Sequence, residues 1–140
     1  MYALFAACIL AAGCTSKASP RHFHVDPVIA SVEAGPDVAR ASGIHDEAVR
    51  SGRAHGWTDA SSPDSAALLL AYAWRREAGA ASDRFRLVCR WRTSAGGEGE
   101  VTDGLAMPAH FWTDARAGEA SARLCTAVIR TAGPARRSVP

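Results

Sequence analysis

The chain has 140 residues, with 16 Lys or Arg against 14 Asp or Glu and a formal net charge of +2. That balance excludes the strongly basic surface of a nucleic-acid-binding domain, and its weak self-repulsion argues against a wholly disordered chain. The apolar fraction of 48% is inflated by alanine, so large side chains for a core are few and burial gives modest stability.

Residues 2–13 carry no charge and are rich in Ala, Leu, Ile and Phe. The run is too short for a membrane-crossing helix, which needs about 20 residues. Ending in small residues, it reads as the apolar core of a secretory signal with its cleavage site. Ile9-Leu10-Ala11-Ala12-Gly13-Cys14 resembles the lipobox of bacterial lipoproteins. The resemblance implies cleavage just before Cys14, a diacylglycerol on its sulfur and a further acyl chain on its new amino group. Each buried methylene contributes about 0.8 kcal/mol, so several chains hold a protein at a bilayer where one is marginal. Thr15 after that cysteine implies the outer membrane of a bacterial envelope, facing the periplasm.

The expected organisation is a signal peptide over 1–13, the lipidated cysteine and a flexible tether over 14–26, one domain over 27–133 and a loose tail over 134–140. Near the end of the tether, His22, His24 and Asp26 recur at every second residue, so an extended chain places them on one side. Two imidazoles and a carboxylate are a donor set for Zn or Cu. The competing reading is a solvated linker, because ordering a tether costs entropy. Residues 25–33, VDPVIASVE, are a short strand or one helical turn, and Gly35-Pro36 marks a turn. Residues 42–55 read as a helix with a partial stripe of Ile44, Ala48 and Val49, closed by Gly56.

Residues 62–79 read as a second helix. Ser62 stands as N-cap, Pro63 at the first position, Asp64 at the positive end, Arg75 and Arg76 in the last turn and Gly79 beyond it. A strand competes over part of the stretch, since Leu68, Leu70, Tyr72 and Trp74 alternate. Residues 84–92, RFRLVCRWR, are the clearest strand: Phe85, Leu87, Cys89 and Trp91 point one way, and Arg84, Arg86, Arg90 and Arg92 the other. Residues 100–102 and 105–112 are returning strands, limited by Pro108. The last helix runs from Asp114, capped by Thr113, to Gly133-Pro134, with Ala117, Ala120, Leu124, Val128 and Ala132 on one face and Cys125 beside them.

On the lipoprotein reading, Cys8 leaves with the signal and Cys14 is acylated. Cys89 and Cys125 remain, an even number in an oxidising compartment, and are expected to form a disulfide worth about 3–4 kcal/mol. The alternative is two unpaired buried thiols. The expected fold is therefore α+β: a small single domain in which a short antiparallel sheet is packed by two or three helices and stapled by one disulfide.

Three chemistries compete for the function. The face carrying Arg84, Arg86, Arg90 and Arg92 suits carboxylates or phosphates of an envelope protein or another anionic envelope component. Its bland counterpart is a solvated sheet face with ion pairs. The histidines offer a secreted or periplasmic metal-binding or catalytic domain instead. Yet His45, His55 and His110 sit in no recognisable motif, and Asp46-Glu47 point about 100° apart on a helix. Trp57, Tyr72, Trp74, Trp91, Phe111 and Trp112 read as core. The expectation is a lipid-anchored envelope protein that binds or supports other components, without catalysis, cofactor or nucleic acid, and attached to the membrane through Cys14.

Overall fold

A computed structural model describes residues 21–29, 35–36 and 39–132. The signal segment, Cys8, Cys14 and the tail over 134–140 lie outside the described residues. In chain order the elements are β1 (His22–Val25), α1 (Ala39–Ala54), β2 (Thr58–Asp59), a single 3-10 turn (Pro63–Ser65), β3 (Leu68–Glu77), β4 (Arg84–Thr93), β5 (Glu98–Thr102), β6 (Met107–Pro108), a second 3-10 turn (Ala109–Phe111) and α2 (Asp114–Ala132). The sheet runs β2-β1-β3-β4-β5, with β6 pairing the far end of β4. The pairs of β1 with β2 and β3 are parallel and all others antiparallel. The domain is α+β, as the sequence predicts, but the sheet is six-stranded and mixed, and two helices cover one face.

The largest departure lies over residues 62–79. The capping signals at Ser62, Pro63 and Asp64 start only one 3-10 turn, in which Ser62 makes no side-chain cap bond, and the backbone is already extended at Ala66. Beyond it the chain is β3. The reason is geometric. On a helix, Leu68 and Tyr72 would face away from Leu70 and Trp74, because a two-residue step turns the helix by about 200°. On a strand all four share one side, and all four are buried. Ten residues of β3 then pair with ten of β4, from Leu68↔Thr93 to Glu77↔Arg84.

A second departure concerns the tether. Residues 22–25, expected to be flexible, form β1 and sit between β2 and β3. Phe23 and Val25 point into the core, while His22 and His24 face the other way.

The core lies between the inner sheet face and the two helices. Trp74 and Trp112 meet with ring centroids 5.0 Å apart. The Trp112 indole N–H donates to the Phe85 carbonyl at 2.9 Å, and the Tyr72 hydroxyl to the Ser121 carbonyl at 2.9 Å. Helices α1 and α2 lie side by side through small residues. Ser121 donates to the Ile44 carbonyl at 2.6 Å, and the Cys125 thiol to the Ala48 carbonyl at 3.4 Å. Cys89 and Cys125 are both fully buried free thiols, so the structure is that of the dithiol and not of the expected bridge. Each sulfur is directed at a backbone carbonyl instead, that of Arg90 at 3.7 Å for Cys89. Among the described residues, no helix is long and apolar enough to cross a membrane.

Phe23 also explains a glycine. A Cβ on Gly52 of α1 would lie 2.3 Å from Phe23 Cζ, inside a ring that is itself fully buried. Gly52→Ala is therefore expected to destabilise the domain by about 1–3 kcal/mol through overpacking. On an exposed helix face the same change gives a gain of roughly 1 kcal/mol. Urea denaturation of variant and parent checks the sign.

Candidate functional site

The sheet face away from the helices carries Arg84, Arg86, Arg90 and Arg92 of β4, with Arg75 of β3 beside them. Their surroundings differ. Arg86 donates to both Glu77 oxygens, at 2.9 and 3.4 Å, and to the Asp103 carbonyl at 2.9 Å. Arg90 pairs with Glu100 at 3.1 Å, and Arg75 of β3 reaches the other oxygen of the same carboxylate. These pairs tie β3, β4 and the edge strand β5 together and offset two of the three positive charges over the middle of the face. Arg84 and Arg92, at the two ends of β4, make no ion pair among the described residues.

Each unpaired arginine lines a hollow. Arg84 borders one of about 540 Å³ with Glu77, Leu105 and Met107. Arg92 borders the larger groove, of about 800 Å³. The register shows how the groove is built. His24, Leu69, Arg92 and Glu98 lie in one row across β1, β3, β4 and β5. Ala71, Arg90 and Glu100 form the next row. Strands lie about 4.8 Å apart, so the backbone of His24 stands roughly 10 Å from that of Arg92. Leu69 and Ala71, short beside the arginines, make the floor. His24 and Asp26 form one wall, and Arg90 and Arg92 the other, with Glu98 beyond. Pro63, from the aborted helix start, closes the groove on one side.

The metal reading fares differently. His22 and His24 share the helix-free face, and one Asp26 carboxylate oxygen is taken by the Val28 amide at 2.9 Å. Among the described residues, no group of three or more His, Cys, Asp or Glu is placed to hold a metal ion. The other histidines stand apart. His45 and His55 belong to α1 and the turn after it, ten residues and so about 15 Å of helix apart. His45 Nδ1 faces Asp46 at 3.3 Å, and His55 Nδ1 faces the Ser51 carbonyl at 2.8 Å. His110 is exposed on the turn before α2.

Sequence reasoning missed Glu100. Its signal was present, since Glu98 and Glu100 alternate on β5 with the period of Arg90 and Arg92 on β4. Only the register shows that one carboxylate serves arginines from two strands. Hydrogen bonds from Arg75 and then Arg90 hold the Glu100 carboxyl below its usual range.

No family model matches the chain, and no curated protein matches it. Among solved structures, the chain is similar to a single-residue variant of the PelC dodecamer from Paraburkholderia phytofirmans, at 16% identity and a TM-score of 0.43 over 78% of this chain and 87% of that one. A second crystal form of the PelC dodecamer from the same organism matches at 16% identity and a TM-score of 0.42, over 78% and 89% of the two chains.

Because its folded-state pKa is depressed, Glu100 stabilises the fold above the ordinary carboxylate range, and this contribution fades as pH falls through the folded value. Glu100→Gln is thus expected to melt below the parent at neutral pH. The gap is expected to close as pH drops below about 4. Thermal melts of both proteins across that range measure it.

Proposed function

We propose that this chain is a lipid-anchored protein of the bacterial envelope that binds another envelope component through the helix-free face of its sheet. The anchor is Cys14, on the strength of the Ile9–Cys14 motif, and the membrane is the outer one, facing the periplasm. The observation that carries the binding half is the groove over Leu69 and Ala71. Among the described residues it is a concave surface on a face that no helix covers, edged by a guanidinium without an ion pair.

Charge pairing narrows the contact. The sequence offers four arginines of β4 as the interaction surface. Arg86 and Arg90 are held by Glu77 and Glu100, so bringing a ligand to either means breaking an existing pair. Arg92 carries no such cost. A guanidinium accepts carboxylate or phosphate through two parallel hydrogen bonds, so the fitting partner presents an anionic group beside a small apolar surface. Binding of this kind needs no cofactor, and no side chain around the groove is assigned a catalytic role.

Distance is consistent with the anchor. Eight peptide steps separate Cys14 from His22, which limits their separation to about 28 Å. The domain then works close to the lipid surface.

Two measurements test the proposal. Protein taken from host membranes is expected to begin at Cys14 and to be heavier than its sequence by the acyl groups, and Cys14→Ser to move it to the soluble fraction; a membrane-bound, unacylated chain retaining Met1 refutes the anchor. Arg92→Glu is expected to cut in-cell crosslinking to envelope partners at least tenfold, equivalent to about 1.4 kcal/mol, with an unchanged melting temperature. Equal loss on Arg84→Glu, at the opposite end of the face, would move the contact out of the groove.

A further inference from the structure

The two walls of the groove carry opposite charge, and the binding reading uses only one of them. The Asp26 amide donates to the Leu70 carbonyl at 2.8 Å, which extends the pairing of Val25 with Leu70 by one residue and brings Asp26 beside Ala71. Asp26, Ala71, Arg90 and Glu100 thus form one row, and His24, Leu69, Arg92 and Glu98 the other. One Asp26 carboxylate oxygen accepts the Val28 amide at 2.9 Å, and the carboxylate makes no ion pair among the described residues. Arg92 makes none there either. An uncommitted charge of each sign therefore stands on either side of the floor. Their backbones lie two strands apart, about 10 Å across the sheet, and one row apart, about 7 Å along it.

The balance of signs decides what fits. Arg90 is already held by Glu100. The groove is left with one uncommitted guanidinium against two carboxylates, Asp26 on one wall and Glu98 beyond the other, neither in an ion pair among the described residues. A purely anionic ligand gains Arg92 but faces both carboxylates, and like charges repel. A ligand that bears both signs meets each wall with its opposite.

We propose that the ligand of the groove is an extended peptide segment that lies along β3 and carries a basic and an acidic side chain two positions apart, the basic one on Asp26 and the acidic one on Arg92. This rests on the reading that the groove binds an envelope component. The shape agrees with the charge. Leu69 and Ala71 form a channel one strand wide between the ridges of β1 and β4. In an extended peptide, side chains two positions apart leave on the same side and stand about 7 Å apart, the spacing of the two rows. The floor is aliphatic. Trp91, the one Trp, Tyr or Phe among the described residues that line the groove, turns its ring to the other sheet face, over its register partner Gly99. A sugar chain finds no ring there to stack on, whereas small apolar side chains of a peptide pack against Leu69 and Ala71.

The test measures fluorescence anisotropy of short labelled peptides with the full chain in detergent. The peptides carry Lys and Glu two positions apart, in either order, on a background of alanine and serine. Matched versions have the Lys or the Glu changed to Gln. A two-charge peptide is expected to bind roughly tenfold tighter, or more, than either Gln version. Asp26→Asn, which keeps an oxygen for the Val28 amide, is expected to erase its advantage over the acidic version. Arg92→Gln is expected to erase its advantage over the basic one. Both variants are expected to melt with the parent. An acidic version that binds as tightly as the two-charge peptide overturns the proposal and leaves a simple anion site, with the reading above intact. Failure of every peptide to bind, with or without binding of an anionic glycan fragment, overturns it in the same way. Peptide binding unchanged in both variants, together with unchanged in-cell crosslinking of Arg92→Glu, overturns the proposal and the groove reading alike.

Discussion

The pairing of β3 with β4 is the constraint on which the rest of the domain depends. Ten consecutive residue pairs fix which side chains meet the helices and which meet solvent. Side chains alternate along a strand, so a slip of one residue would exchange the two faces. Arg86 and Arg90 would then enter the core, and Leu87 and Cys89 would leave it. The register also sets both rows of the groove, because β1 and β5 join the hairpin from opposite sides. Glu100 reinforces it from the edge by holding one arginine from each strand of the pair.

A composition rich in alanine raises the question of what fills the interior. The helix pair supplies the answer. Gly118, Ser121 and Cys125 on α2 face Gly43, Ile44, Glu47 and Ala48 on α1. Small side chains let the backbones come close enough for side-chain donors on α2 to reach carbonyls on α1. The scarce large residues are reserved for the layer between helices and sheet, where Trp74, Trp112, Tyr72 and Phe23 gather. Few bulky side chains suffice because the helices need almost none between themselves.

Of the elements that the sequence placed, α1 and β5 among them, two were the most legible, and for the same reason. β4 and α2 each show one clean period, two residues in one case and close to 3.6 in the other. Residues 62–79 show two signals in conflict, caps for a helix and alternation for a strand. The caps involve a few groups near the surface, whereas the alternation places four large side chains in the core, and burial prevails. β1 was misread because four residues are too few for a period, and its place comes from partners about 35 and 45 residues further on. The arginine face was legible as a face. That its central arginines are paired was not, because Glu77 and Glu100 lie on other strands. Of the groove only the wall of Arg90 and Arg92 was legible, since its floor was assigned to a helix and its other wall to a tether.

The position of β1 has a mechanical consequence. It is the first described strand, and it lies inside the sheet. The Arg21 carbonyl accepts the Thr58 amide at 2.9 Å on one side, and the His22 carbonyl accepts the Ala67 amide at 2.7 Å on the other. An outermost strand can be peeled away one bond at a time. A strand bonded on both flanks has to shear two rows together. A pull arriving through the residues before His22 therefore meets its resistance at once, on both sides, and the load passes straight into β3 and β4.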